Sequence, residues 1–272
     1  MRGAWLLQLP GRHRRTVRRI GPPRLRAHLV VDERKLERNA QGARLQLLRH
    51  VATEHVAWLL DRLDVNVVLD VGANRGQYAR ELRSLGYRGR IVSFEPVPRT
   101  ARVLERWAAD DPDWQVHRCA LGDADETLAI HEGARQGRLS SLLPATDFGR
   151  SWSEGIDADR TVEVPVRRLD GLWDEVVAGV AEPRVYLKLD TQGYDVRAFA
   201  GAGDRVRDVL AMQSEVSMLP LYEGMPHHTE QLATYEAAGF ELAGMYPVIV
   251  DRPTLRVVEF DALLVRSPAA DG

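Results

Sequence analysis

Between Val67 and Phe94 the spacing of apolar positions changes period twice. Val67-Val68-Leu69 is a contiguous apolar run, as a parallel strand covered on both faces requires. From Gln77 the period becomes helical, with Tyr78, Leu82 and Leu85 at i, i+4 and i+7. Ile91-Val-Ser-Phe94 is a second apolar run, closed by Glu95-Pro96. The order of strand, glycine-containing turn, helix, strand and terminal acid predicts the opening unit of a doubly wound α/β sheet. Upstream, Leu48, Val51, His55, Leu59 and Leu63 share one face of a helix over Arg44–Leu63 that leads into the first strand. Downstream, the pattern predicts a helix over Arg99–Ala109, a third strand over Trp114–Cys119 and a short extra strand over Thr127–Glu132. Val162–Arg167 reads as a strand, placed at an edge by Pro165. A helix over Leu169–Val177 and a fourth central strand, Val185–Asp190, follow, and Val196–Ala200 begins another helix. Val209–Val216 is the fifth strand, and His227 to Gly239 is a helix stopped by glycine. Phe240–Met245 and Glu259–Val265 close the sheet as an antiparallel pair. The expected sheet is therefore mostly parallel with an antiparallel C-terminal strand.

The turn carries the chemistry. Gly72 and Gly76 permit a tight turn and close approach of backbone to a ligand. Their spacing is G-x-x-x-G, whereas the dinucleotide fingerprint is G-x-G-x-x-G. Asp70 stands just before the turn, where a carboxylate would repel a pyrophosphate. It suits the positively charged amino-acid part of S-adenosylmethionine, met directly or through water; its alternative role is to cap the turn. Glu95 ends the next strand, 25 residues on, where a carboxylate accepts both ribose hydroxyls. NAD uses an acid at that place too, so Glu95 alone does not choose between the cofactors. Ligands of open α/β sheets bind beyond the carboxyl ends of the strands, and Asp70, Glu95, Asp190 and Glu215 all stand at such ends. The helix over Arg44–Leu63 is expected to cover the cofactor side, with His55 packed rather than ligating.

Methyl transfer from a sulfonium to an alcohol needs an aligned oxygen and a place for its proton. Asp190 is the first candidate to contact the reacting hydroxyl. Lys188, two residues earlier on the same strand face, is placed to pair with one of these acids and keep it ionised. A Mg2+ ion held by Asp190 and Glu215 is a further reading, and His227 and His228 offer an alternative base near neutral pH, unless they merely start an exposed helix.

Composition narrows the setting. The 272 residues are 44% apolar, enough for one large α/β domain with additions. One cysteine, Cys119, excludes a disulfide framework and a thiolate zinc site, which is compatible with a reducing compartment. It lies in an alternating run and reads as a packed strand residue. Residues 1–31 hold eight arginines and no Asp or Glu, although the whole chain has a net charge of −2. The expected division is a basic arm over 1–43, a domain over 44–266 with a polar insert near 133–160, and a tail over 267–272. The insert is either a lid or binding loop, or disordered. The arm suits anionic lipid or nucleic acid. No stretch approaches transmembrane length, and Trp5-Leu-Leu-Gln-Leu-Pro10 is short for a signal sequence. The expectation is a cytoplasmic protein, membrane-peripheral at most through the arm.

With these residues in view, the chain resembles FkbM-type methyltransferases from about Val51 to Arg266. The likeness is carried, in order, by Leu69-Asp-Val-Gly-Ala-Asn-Arg-Gly-Gln-Tyr78, Phe94-Glu-Pro96, Cys119-Ala-Leu-Gly-Asp123, Arg168-Leu-Asp170, Leu187-Lys-Leu-Asp-Thr-Gln-Gly193 and Leu221-Tyr-Glu-Gly224. The resemblance implies a class I, Rossmann-like fold and S-adenosylmethionine held by Asp70, Gly72, Asn74, Gly76, Tyr78, Glu95 and Ala120. It further implies an acceptor hydroxyl on a sugar, glycolipid or natural product. One departure stands out: the family often has Asp-x-Glu-Gly where this chain has Asp190-Thr-Gln192-Gly193. Asp170, although it falls in a family motif, is read as a helix cap, and Asp261 as structural.

Three other functions compete. An RNA methyltransferase would give the basic arm a purpose, but amino-group methylation of bases goes with Asn/Asp-Pro-Pro-aromatic after the fourth strand. Asp190-Thr-Gln-Gly there argues against a nucleic-acid substrate. A cofactor-binding scaffold without turnover is the rival from another class, and a dehydrogenase is third.

Overall fold

The computed structural model describes residues 50–133, 139–153, 155–156, 160–251 and 253–267 in full. Before residue 50 it gives backbone only, for the strands β1 (Leu6–Leu7), β2 (Arg15–Ile20) and β3 (Ala27–Asp32) and for the start of α1 (Ala40–Arg62). These three strands form an antiparallel ladder. The helix begins at Ala40, so the expected boundary at 43/44 falls inside it. The tail beyond Ser267 and the side chains of the basic arm lie outside the described residues.

Seven strands form the central sheet, in the order β12-β13-β11-β10-β4-β5-β6. They are β4 (Val67–Val71), β5 (Arg90–Phe94), β6 (Trp114–His117), β10 (Val185–Leu189), β11 (Val209–Ser217), β12 (Phe240–Val250) and β13 (Val257–Arg266). The five strands from β6 to β11 run parallel, and β13 is antiparallel to both of its neighbours. The chain steps outward through β4, β5 and β6, then returns to lay β10 beside β4. That reversal makes the β4/β10 boundary the switch point where such sheets take ligands.

Alternation along the strands divides the core. Val67, Leu69 and Val71 pack with Val185, Leu187 and Leu189 on one face, under α5 (Leu169–Val176), α6 (Asp195–Ala200) and α7 (His228–Ala237), through Trp173, Phe199 and Tyr235. Val68, Ile91 and Tyr186 point to the other face, under α1, α2 (Gln77–Leu85) and α3 (Pro98–Ala108), through Leu60, Leu82 and Leu104. Both layers follow from the apolar period seen in the sequence.

A small second sheet holds β7 (Ala120–Leu121), β9 (Thr161–Arg167) and β8 (Glu126–His131), in that order. The edge position expected for β9 is corrected: it is the middle strand. Its proline is tolerated because β7 pairs only with Val166 and Arg167, leaving Pro165 outside that ladder. The described part of the insert is built into the molecule. It carries α4 (Asp147–Trp152), capped by Thr146, and its Leu139, Ala145 and Ile156 pack on Leu221, Tyr222 and Val258. The strand expected over Trp114–Cys119 ends at His117, and Cys119 is buried, its thiol pushed up to about 11 by that burial.

Candidate active site

A cleft of about 1640 Å3 crosses the carboxyl ends of β4, β5, β10 and β11, at the switch point. Its walls include Gly72, Asn74, Tyr78, Glu95, Ala120, Asp190 and Glu215. Asp70, Gly76, His227 and His228 are not among the lining residues.

The floor between β4 and β10 is backbone against backbone. Gly72 has φ 75°, and a Cβ on it would lie 1.8 Å from the Asp190 carbonyl oxygen. Only glycine lets the turn and the β10 end meet so closely. Gly76, with φ 79°, starts α2 and sits behind the cleft, where a Cβ would strike Leu104 and the Trp114 ring at 2.9 Å. Asn74 takes φ 48°, a conformation it tolerates better than most residues. Its side-chain oxygen accepts bonds from the Arg75 backbone N–H (2.8 Å) and the Gln77 amide (3.1 Å).

Glu95 is fixed by that turn. Its two oxygens accept N–H bonds from Asn74 and Val97, both at 2.9 Å. Each oxygen keeps lone-pair capacity for a further donor such as a ribose hydroxyl. Burial outweighs the two N–H bonds and lifts its carboxyl to about 7.

Asp70 lies beneath the site, fully buried. Direct contact between Asp70 and a ligand is therefore corrected to an indirect role: its side chain points to the α1–α2 face, in a polar row in register across four strands. Ser93, Asp70, Lys188 and Gln213 stand side by side on β5, β4, β10 and β11. Ser93 donates to Asp70 (3.3 Å) and receives the Trp114 indole N–H (3.0 Å). At the other end Tyr78 and Tyr186 both donate to Gln213 (3.3 and 3.4 Å). Lys188 is the one member that lines the cleft with a charge. Its ammonium lies 3.2 Å from Asp70 and 3.4 Å from Asp190, and donates to the carbonyls of Val71 (3.4 Å) and Gly72 (3.3 Å). Burial pulls the ammonium downward, but Asp190 and Asp70 more than offset it, and its net shift is upward. Burial pushes the Asp70 carboxyl up, with Lys188 offsetting part of the effect. The pairing expected for Lys188 is present twice over.

The other end of the cleft is acidic. Asp190, Glu215, Glu259 and Asp261 line it, with Glu215 and Asp261 opposite each other on β11 and β13. Burial first, then Asp190, Glu259 and Asp261, raises Glu215 well above the ordinary carboxylate range. Burial raises Glu259 to about 8 against a bond from Ser217. Trp152, Leu139 and Leu142 from the insert and Ile249 from β12 give this end apolar walls. Asp261, read from sequence as structural, thus faces the site, while Asp170 pairs with Arg168 at the start of α5.

Three expectations change here. His227 caps α7: its ring nitrogen bonds to the Thr229 hydroxyl (2.7 Å), and Glu230 completes the capping box. His228 stacks against His227 (4.0 Å between ring centroids). Neither histidine is among the residues that line the cleft. The Mg2+ reading fails on donor chemistry. Gln192 occupies the space between Asp190 and Glu215 with an amide NH2, donating to Asp190 Oδ1 (3.2 Å) and Glu215 Oε2 (2.7 Å). An N–H donor there repels a cation, and among the described residues no three His, Cys, Asp or Glu side chains gather to hold a metal.

Sequence reasoning missed Gln192 as a contact residue and Glu259 altogether. The departure from Asp-x-Glu-Gly was a usable signal for the first; for Glu259 only the alternation of a terminal strand was available. Among the described residues no helix is long and apolar enough to cross a membrane.

Comparison with known proteins follows the same lines. Residues 70–242 match the model of the methyltransferase FkbM domain. The 2-O-methyltransferase NoeI of Sinorhizobium fredii (strain NBRC 101917 / NGR234) is 26% identical over 241 residues, covering 87% of this chain and 93% of that one. Among solved structures, a methyltransferase FkbM from Methylobacillus flagellatus has a TM-score of 0.43 at 15% identity, covering 73% of this chain and 44% of that one. A methyltransferase from Thermobifida fusca, described as putative in its own name, has a TM-score of 0.45 at 11% identity, covering 83% and 82%. The glycine turn, the acid after the second central strand and the acids after the fourth and fifth all fall inside the matched segment, and the chain belongs to the FkbM methyltransferase family.

Proposed function

We propose that this protein is an S-adenosylmethionine-dependent O-methyltransferase acting on a hydroxyl of a sugar, glycolipid or natural product. The observation that carries the reading is the Gly72–Asp190 contact, which joins a nucleoside-type pocket and an acidic pocket into one cleft. On the first side, Glu95 accepts the ribose hydroxyls, while Gly72, Asn74, Tyr78 and Ala120 form the surrounding wall. Asp70 and Gly76 act from behind, by fixing Lys188 and the start of α2. When bound, S-adenosylmethionine supplies an electrophilic methyl group. On the second side, Asp190 and Glu215 orient the acceptor hydroxyl and take its proton as the carbon–oxygen bond forms. The apolar walls from the insert and β12 exclude water from that end. The printed name of the Sinorhizobium relative, a 2-O-methyltransferase, supports oxygen as the acceptor atom. The family unit is proposed to occupy 44–266, with the basic arm available for peripheral contact with anionic lipid.

The test has two stages. Calorimetric titration of S-adenosylhomocysteine is expected to give micromolar binding that Glu95→Ala abolishes. A panel of methyl glycosides, polyols and glycolipids, incubated with S-adenosylmethionine, is then read for a mass gain of one methyl group. No binding by the folded wild type overturns the cofactor assignment. Binding with methylation of amines but not of hydroxyls overturns the acceptor assignment.

A further inference from the structure

Gln192, in the wall of the cleft, is held by bonds to both its side chain and its backbone. The residue is 9% exposed and its backbone takes φ 56°, a conformation uncommon for anything but glycine. Its neighbours hold it there. The Ser141 hydroxyl, from the insert, donates to its backbone carbonyl (2.7 Å). The Tyr222 hydroxyl, from the Leu221-Tyr-Glu-Gly224 segment, donates to its side-chain oxygen (2.8 Å). The same hydroxyl lies 3.3 Å from the Leu139 carbonyl. The NH2 end then faces two carboxylates, with one N–H for each, at 3.2 Å to Asp190 and 2.7 Å to Glu215. Segments remote in sequence converge on this one residue, at its backbone and at its side chain, and strained backbone maintained in this way marks a functional position.

The consequence for the two acids is unequal. Asp190 has both oxygens engaged, one by Gln192 and one by Lys188. Glu215 has one oxygen on Gln192, and among the described residues no donor is recorded for the other. Lys188 lies on one side, Asp190 on the other, Glu259 and Asp261 face Glu215 from β13, and Asp195 faces it from α6. Lys188 supplies one positive charge to that cluster, on Asp190; between Asp190 and Glu215 the amide supplies two donors without charge.

Resting on the proposed function, we infer that Gln192 is a positioning residue: an uncharged clamp that holds Asp190 and Glu215 as a pair facing the acceptor, so that methyl transfer proceeds with no divalent ion at that pair. In the transfer the acceptor oxygen bonds to the methyl carbon while the carbon–sulfur bond breaks and its electron pair stays on sulfur. The hydroxyl proton passes to the unengaged oxygen of Glu215 and from there to water. Burial and the surrounding acids hold the Glu215 carboxyl well above the ordinary carboxylate range, so its ionised form is a stronger base for that proton than an ordinary carboxylate.

The experiment requires no acceptor. The full-length wild type, Gln192→Glu and Gln192→Ala are compared, each with and without S-adenosylhomocysteine. MnCl2 is titrated by calorimetry, and bound ion is counted by electron paramagnetic resonance. The wild type is expected to show no saturable Mn2+ binding. Gln192→Glu, with three carboxylates at the site, is expected to gain one Mn2+ per chain, lost again when Asp190→Asn is added. Gln192→Ala gains no ion, and its melting temperature falls below wild type by a deficit that widens as pH rises. The sign follows from Glu215, whose carboxyl is raised: protonated, it carries no charge against Asp190, whereas ionised it leaves two bare carboxylates facing each other without the clamp. Saturable Mn2+ in the wild type that Glu215→Gln removes would overturn the inference. So would a Gln192→Ala variant that melts with wild type at every pH, and this comparison stands even where Gln192→Glu fails to fold. Loss of S-adenosylhomocysteine binding in the wild type would instead sink the cofactor reading, since the ion count and melting comparison are also made without it.

Discussion

The two ends of the cleft are built from different materials. The Glu95 end is made of backbone: left-handed glycines, two peptide N–H groups on one carboxylate, and a turn contributed by a single contiguous segment. The Asp190–Glu215 end is made of side chains drawn from β10, β11, β13, the insert and the segment after β11. Backbone geometry tolerates few substitutions, and a pocket of side chains can be altered one residue at a time. The first end therefore suits a constant ligand, and the second suits one that differs between relatives.

Gly72→Ala should produce the largest effect, because its Cβ would overlap the Asp190 carbonyl at 1.8 Å. We expect a loss of roughly 4 kcal/mol or more in urea denaturation, with cofactor binding lost as well. Near-wild-type stability would break the contrast, since the backbone end would then be as tolerant as the other. Lys188→Met is next. It leaves Asp70, fully buried, without its cation, and removing one partner of a buried pair costs about 3 kcal/mol. Both ends should suffer, since the ammonium also donates to the Gly72 carbonyl. The third test is S-adenosylhomocysteine affinity against pH. Glu95 titrates at about 7, and its ionised form accepts ribose hydroxyls better. Affinity should therefore rise about tenfold from pH 6 to pH 8, and Glu95→Gln should flatten the profile. Glu259→Gln should have the smallest effect. The native carboxyl at about 8 lies above its unfolded value, so the native state binds the extra proton and stability is lost as pH rises towards 8. The variant should melt a few degrees above wild type at pH 8.5 and level with it at pH 5, with cofactor affinity unchanged. A change in cofactor affinity would show that the ends are not separable.

The same contrast explains what the sequence could reveal. The strand–turn–helix–strand unit is local, and its apolar periods and glycines are visible as spacing, so the Gly72 turn and the Glu95 clasp were legible. The three-layer core followed from the apolar periods of the strands and helices. The polar row Ser93–Asp70–Lys188–Gln213 was half legible: strand parity put Lys188 and Asp190 together, but nothing local said that Asp70 would sit beneath Gly72 rather than face a ligand. The other end depends on contacts such as Ser141 to Gln192 and Tyr222 to Gln192, which spacing cannot show. His227 and His228 misled for the same reason: residue type suggested a base, while their place was decided by a capping box with Glu230.

The insertion of β13 between β11 and β12 has one more consequence. Because β13 runs against its neighbours, the acids it brings to the cleft, Glu259 and Asp261, come from its beginning, immediately after the hairpin turn. A residue gained or lost in that turn would shift the register by one and turn both acids away from the cleft together, since they share a strand face, while leaving the Gly72 turn untouched. The hairpin is thus a tuning screw for natural variation, by which a lineage can change what it methylates without renegotiating how it binds its methyl donor.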